Sequence, residues 1–212
     1  MKVAYIFRGD HVRDTTLDRK YIDALMCYNN WKKTLFDVIP ENDIIFITYD
    51  SPLNEQIKKL FKPKEFITLP VRNQVNNFKR VLQFCDESEY DRYVILRCDF
   101  MYRYKITEWP KWNERGIFII NKDINWPNLK FYSDTLFIID KEYVKTILNL
   151  GEAIYEHAGT IHTLGRELYN KNISFHLMYE EYYHMAIHPI QVLASMEEEP
   201  DINNPKVVIP LI

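Results

Sequence analysis

Through the first hundred residues, short continuous apolar runs alternate with longer stretches in which apolar residues fall three and four apart. "KVAYIF" (2–7), "DIIFITYD" (43–50), "EFITLP" (65–70) and "YVILRCDFMY" (93–102) are rich in β-branched and aromatic residues and are predicted as buried strands. Between the first two, Leu17, Tyr21, Leu25, Tyr28, Trp31 and Leu35 keep helical spacing, with Thr15 as the predicted N-cap and Pro40 as the stop. Ser51 as a cap, Pro52 in the first turn and Leu53, Ile57 and Leu60 on one face predict a second helix. "NQVNNFKRVLQFCDES" (73–88) predicts a third, with Val75, Phe78, Val81, Leu82 and Cys85 inward. Such alternation implies right-handed crossovers and a parallel sheet covered on both faces.

The pattern then changes. "GIFIIN" (116–121) and "DTLFIID" (134–140) read as strands joined by loops, and "KEYVKTILNLGEAIY" (141–155) and "TLGRELYN" (163–170) as helices. The expected fold class is therefore α/β, as one domain over residues 1–212. The irregular second half is expected to shape a ligand site.

Composition narrows the classes. With 47% hydrophobic and 15% aromatic residues the chain can bury a large core, which argues against disorder. A formal net charge of -3 without a Lys/Arg block argues against a nucleic-acid partner or an anionic membrane surface. The first apolar run is too short for a signal peptide or an integral membrane segment. Cys27, Cys85 and Cys98 show neither a disulfide framework nor zinc spacing, which fits a cytoplasmic location. The apolar C-terminal "PKVVIPLI" is expected either to dock as a tail or strand, or to lead into covalently linked further domains.

The chemistry converges on strand ends. All five glycines are isolated, so dinucleotide turns, Walker-type loops and nucleophile elbows are missing, as is HExxH. In an open parallel sheet, ligands bind beyond the carboxyl ends of the strands. Those ends carry Arg8, Gly9 and Asp10, then Tyr49 and Asp50, then Val71, Arg72 and Asn73, then Arg97 and Asp99. Asn73, Asn76 and Arg80 share one polar helix face. Together they offer cations for a diphosphate, a flat ring for a base, and amides or acids for a ribose. Arg97 and Asp99, two apart on a strand, point the same way and are equally expected to neutralise each other.

The segments "FRGDHVR", "QVNNFKR", "YDRYVILRCDF" and "FYSDTLFIID" together resemble the GT-A-type glycosyltransferases, especially the small microbial and large-DNA-virus domains of that class, over roughly residues 1 to 145. The resemblance implies a GT-A-like three-layer α/β/α fold with a mostly parallel mixed sheet. It implies transfer of a sugar from a nucleoside-diphosphate sugar, expected to be a UDP-sugar, to a glycan acceptor, with Mn²⁺ or Mg²⁺ steadying the leaving diphosphate. It also implies that residues 1–104 bind the nucleotide and residues 105–212 shape the acceptor side. In a viral setting the location would be the host-cell cytoplasm.

By that resemblance Arg8, Gly9, Asp10, Arg13, Tyr49, Asp50, Asn73, Asn76, Arg80 and Arg97 face the nucleotide. Asp99 is expected to hold the metal, with His184 as a further ligand and His176 and His188 behind it. Arg97 stands where the two-acid form of the metal motif has its first acid, either to bind phosphate or to brace a neighbouring acid. Asp134 is expected to be the catalytic base of an inverting displacement, or else to orient the sugar or acceptor. Trp109, Trp112 and Trp126 could stack on sugar rings or fill the core. A sugar-nucleotide pyrophosphorylase is disfavoured, because "FRGDHVR" has a single glycine where such enzymes carry a glycine-rich loop. A non-catalytic nucleotide- or glycan-binding module is the alternative from another class.

Overall fold

A computed structural model describes residues 1–15, 20–122, 132–156, 161–180 and 188–193. The chain opens with β1 (Val3–Gly9) and a hairpin of β2 (Val12–Thr15) and β3 (Lys20–Asp23). A 3-10 turn (Ala24–Cys27), α1 (Tyr28–Trp31) and a π turn (Lys32–Phe36) then lead to β4 (Asn42–Tyr49). After these come α2 (Asn54–Phe61), β5 (Glu65–Leu69), α3 (Gln74–Glu87), β6 (Arg92–Arg97) and β7 (Phe100–Tyr102). The later part holds β8 (Ile117–Ile119), β9 (Leu136–Asp140), α4 (Lys141–Glu156), α5 (Leu164–Asn170), β10 (His176–Leu177) and β11 (Gln191–Leu193).

Seven strands form one sheet in the order β10-β8-β9-β6-β1-β4-β5, so elements from before and after residue 104 share it. β1 pairs in parallel with both β4 and β6, and β4 with β5, while β9 runs antiparallel between β6 and β8. The sheet is thus mixed and mostly parallel, as expected. Alternation along β1 explains the two cores. Val3, Tyr5 and Phe7 face Trp31, Leu35 and Phe61, whereas Ala4 and Ile6 face Phe78, Val81 and Leu82 of α3, with Val144 and Leu164 farther along that side. The chain order reverses at β1, with β4 on one side and β6 on the other.

The long helix expected from Thr15 is a correction. Residues 12–15 and 20–23 instead pair as an antiparallel hairpin, and the Ala24 N–H donates to the His11 carbonyl at 2.8 Å. Val12, Thr15, Tyr21 and Ile22 are strand formers, and the helical spacing of Tyr21 and Leu25 is coincidental with that pairing. Ser51 likewise does not cap a helix. Its Oγ accepts from the Leu53 N–H at 3.1 Å, and α2 begins only at Asn54. α3 fits its expectation, since all five predicted inward residues are buried; its N-cap is Asn73, whose side chain accepts from the Asn76 N–H at 2.9 Å. Trp109 and Trp112 are core residues rather than sugar platforms, at 2% and 5% exposure, and Trp126 lies outside the described residues. Among the described residues no helix is long and apolar enough to cross a membrane.

β7 leaves the sheet and is held by α1. Asn30 Nδ2 donates to the Tyr102 carbonyl at 2.9 Å, the Tyr102 N–H donates to Asn30 Oδ1 at 2.7 Å, and Trp31 Nε1 donates to the Phe100 carbonyl at 2.7 Å. These bonds fix the turn at Cys98 and Asp99 between β6 and β7. Asn30→Leu leaves both Tyr102 backbone groups unsatisfied in a buried position, so urea denaturation is expected to show a loss of about 2–4 kcal/mol. Lys33→Ala, on the exposed side of the same segment, is expected to change stability by less than about 0.5 kcal/mol.

Candidate functional site

β1 and β6 place Arg8 and Arg97 in register on adjacent parallel strands, on the face covered by α3. Two guanidiniums so placed repel each other, and besides burial the charge of Arg97 lowers the proton affinity of Arg8. Asp134, two residues before β9, resolves the conflict. Arg8 Nη2 lies 3.5 Å from Asp134 Oδ2 and also donates to the Asp134 carbonyl, while Arg97 Nη1 donates to Asp134 Oδ1 at 3.1 Å. Gln74 Nε2, at the start of α3, donates to Oδ2, and His162 Nε2 lies 3.8 Å from Oδ1.

Burial by itself would push the Asp134 carboxyl up. The charges of Arg97, Arg8 and His162 outweigh it and hold the group well below the usual carboxylate range. Arg8 is pulled below its ordinary value by burial, against the opposing pull of Asp134. Its guanidinium lies against the rings of Phe78 and Phe137, 5.7 and 6.0 Å from their centroids. For Arg97 burial acts downward, and the charges of Asp99 and Asp134 more than reverse it. Asp99 takes Arg97 as a fork, Nε to Oδ1 at 3.0 Å and Nη2 to Oδ2 at 2.5 Å.

Above this network opens a cleft of about 280 Å³, lined by Arg8, Gly9 and Asp10 after β1, Tyr49 at the end of β4, Arg72, Asn73 and Gln74 before and at the start of α3, and Arg97 and Asp99 after β6. It lies where the strand order reverses, the position at which open α/β sheets bind ligands. Gly9, at φ +84°, turns the chain at the cleft edge in a conformation that suits glycine. Arg72 Nε lies 3.4 Å from Asp10 Oδ1, joining the loops on either side. Burial, then the neighbouring Asp10, pushes the Tyr49 phenol up.

Seven of the predicted residues therefore meet in one cleft: Arg8, Gly9, Asp10, Tyr49, Asn73, Arg97 and Asp99, with Asp134 beneath. Others do not join them. Asp50 accepts from the Ser51 N–H and the Asn54 side chain at the entry to α2, at 3.1 and 3.2 Å. Asn76 is exposed outside the cleft lining, and Arg80 turns along α3 to Glu87 at 3.2 Å, because each helical turn carries that face away from the strand ends. His176 stacks on Phe118 and His188 is buried beside Tyr179. The Arg13 side chain and His184 lie outside what is described. Arg72, named at the end of the third strand but given no role there, joins the cleft, while Gln74 and His162 belong to the site without having been singled out. Gln74 was within reach, since it opens the "QVNNFKR" motif.

A divalent cation of the kind the resemblance implies can take most of its oxygen ligands from diphosphate and water, and needs at least one carboxylate from the protein. Both Asp99 oxygens are bonded by Arg97, both Asp134 oxygens are engaged, and Asp10 faces Arg72. Among the described residues no group of three or more His, Cys, Asp or Glu side chains could hold a metal ion. A cation placed on Asp99 would also sit against the Arg97 guanidinium. The described residues do not fit a resident metal.

No protein-family model matches the chain, and no curated protein matches it in sequence. In fold it is similar to nucleotide-sugar transferases and nucleotidyltransferases of the GT-A-like α/β kind. A nucleoside-diphosphate-sugar pyrophosphorylase from Vibrio cholerae RC9 superposes with a TM-score of 0.59 at 13% identity, over 94% of this chain and 97% of that one. A glycosyltransferase involved in the glycosylation of the major capsid of PBCV-1 gives 0.54 at 9% identity, over 96% and 97%. A glycosyltransferase of Streptococcus pneumoniae TIGR4 gives 0.51 at 12% identity, over 83% of this chain and 45% of that one. This chain thus spans less than half the length of that last protein.

Asp134→Asn keeps the shape but leaves two buried guanidiniums without their shared counter-ion, so a loss of about 3–5 kcal/mol in urea denaturation is expected. Because the folded-state value of Asp134 is depressed, its contribution is complete above the ordinary carboxylate range and is lost as pH falls below about 4. Stability against pH should therefore fall less steeply below pH about 4 in Asp134→Asn than in the wild type.

Proposed function

We propose that the chain is a nucleotide-sugar-dependent glycosyltransferase domain whose donor diphosphate binds in the cleft beyond β1 and β6. The observation that carries the reading is the meeting of Arg8, Arg72 and Arg97 with Tyr49 and Asn73 at the reversal point of the strand order. A sugar donor presents two phosphate charges, a ribose and a flat base, and this lining offers guanidiniums, polar side chains and an aromatic ring for them. Arg72 and Arg97 would meet the phosphates, Asp10 the ribose and Tyr49 the base. The donor is proposed to be a UDP-sugar and the acceptor a glycan.

In the transfer an acceptor hydroxyl oxygen bonds the anomeric carbon and gives its proton to the departing diphosphate or to water, while the anomeric C–O bond breaks and its electron pair leaves with the nucleoside diphosphate. Fixed guanidiniums at that point act on charge that develops only in the transition state. Asp134, held by Arg8, Arg97 and Gln74 with a lowered proton affinity, is a poor acceptor for a hydroxyl proton. We assign it as a positioning residue that orients the arginines. The inverting outcome, which depended on Asp134 as the base, accordingly drops out of the proposal.

The pyrophosphorylase reading is favoured only by the shared fold and differs in product. Incubation with a UDP-sugar and a glycan acceptor, with released products resolved by chromatography, is expected to yield UDP; pyrophosphate-dependent formation of UTP would support the other enzyme. In calorimetry with UDP, Tyr49→Ala and Arg72→Ala are each expected to weaken binding about tenfold, and Arg80→Ala, outside the cleft, to leave it unchanged. Equal binding by all of these variants would remove the cleft from the proposal, and UDP binding without turnover would favour a non-catalytic module.

A further inference from the structure

We infer that Arg97 is a built-in substitute for the divalent cation, so that this cleft binds the diphosphate of its nucleotide through guanidiniums, without a metal; the inference rests on the proposed nucleotide-sugar reading and sharpens it.

The donor count of Arg97 supports this. A guanidinium has five N–H donors. Nε and one N–H of Nη2 go to Asp99, and one N–H of Nη1 goes to Asp134. Two N–H groups remain, one on each terminal nitrogen, on a side chain that lines the cleft and is 17% exposed. A terminal pair of this kind matches two phosphate oxygens, as one cation would, and the bonds to Asp99 and Asp134 fix it in place beforehand.

Arg8 supplies a second and independent observation. Its side chain is 1% exposed and lines the floor of the same cleft, yet its Nε has no hydrogen-bond partner. That atom is shut off from solvent, so what Arg8 offers an entering anion is its charge at the floor of the cleft, balanced by an Asp134 that it shares with Arg97. Arg72 adds a third guanidinium at the rim, 65% exposed and engaged with Asp10 at 3.4 Å.

The carboxylates complete the case. A metal on Asp99 would share a carboxylate already held by a two-bond Arg97 fork, and a metal on Asp134 one already bonded at both oxygens. Either position also adds positive charge beside arginines already in place. A diphosphate meets no such repulsion, because it can use the two unspent N–H groups of Arg97 while Asp99 and Asp134 keep theirs.

The test is calorimetry of the full chain with UDP and with inorganic pyrophosphate, in excess EDTA and in saturating Mn²⁺. The expected result is binding of UDP in EDTA, with a Kd within about threefold of that in Mn²⁺. Arg97→Lys, which keeps one charge but loses the fork, is expected to weaken binding about tenfold in both buffers. Arg97→Asp, which restores the two-acid form of the motif, is expected to bind UDP at least about tenfold tighter in Mn²⁺ than in EDTA. UDP binding by the wild type that needs Mn²⁺ overturns the inference and leaves the nucleotide reading standing. Absence of UDP binding in both buffers overturns the two together. Should Arg97→Asp fail to fold, as judged by circular dichroism, the wild type in the two buffers and Arg97→Lys still decide.

Discussion

Two arginines in register on neighbouring parallel strands form an arrangement that a folded sheet does not tolerate alone. Arg8 and Arg97 are such a pair, and Asp134 between them is what lets β1 and β6 end side by side. The bridge reaches beyond the two strands. Asp134 precedes β9, which enters the sheet antiparallel to β6, and Gln74 binds the same carboxylate from the first turn of α3. One carboxylate thus sets the approach of two strand ends, one helix N-terminus and the lead into a fourth element. The floor of the cleft exists because these elements converge on it.

β6 holds an internal comparison that separates a structural arginine from one left with spare capacity. Arg92, at the opposite end of the same strand, spends four of its five N–H donors on Asp140 and on the Trp112 and Glu114 carbonyls, and is 2% exposed. Arg97 spends three and stays partly open to a cleft. Both are charged groups paired inside the fold, so burial with an acidic partner does not by itself mark a site. The unspent donors do.

The strands were legible because buried parallel strands are written as continuous β-branched and aromatic runs, and α3 because its inward residues keep a strict helical period next to an Asn cap. The cleft was legible as far as strand ends could be located: Arg8, Asp10, Tyr49, Arg97 and Asp99 all follow from knowing where three strands stop. The hairpin at residues 12–23 was not, since Tyr21 and Leu25 fit a helical stripe as well as they fit the end of a strand and the turn after it. Asn76 and Arg80 failed for a different reason. They share the polar face of Asn73, but a helix rises about 1.5 Å per residue, so only its first turn reaches the strand ends. Which acid each arginine would meet was beyond pattern reading altogether, because Asp134 and Arg97 lie far apart in sequence and are joined only by the order of strands.

The fold alone leaves the chemistry open, as the same architecture serves a pyrophosphorylase and glycosyltransferases among the similar structures. In this chain the charge of the cleft narrows that chemistry. An approaching cation finds every oxygen of Asp99 and Asp134 engaged, whereas an approaching anion finds guanidiniums that are already charged, already oriented and not fully used. Counter-ions that hold such groups in place lower the field a ligand feels in the ground state. They also remove the cost of reorganising those groups when a diphosphate gains charge as it leaves. In the proposed function the Asp134 bridge is therefore both the reason the strands can meet and the reason their ends are set for a leaving group rather than for a metal.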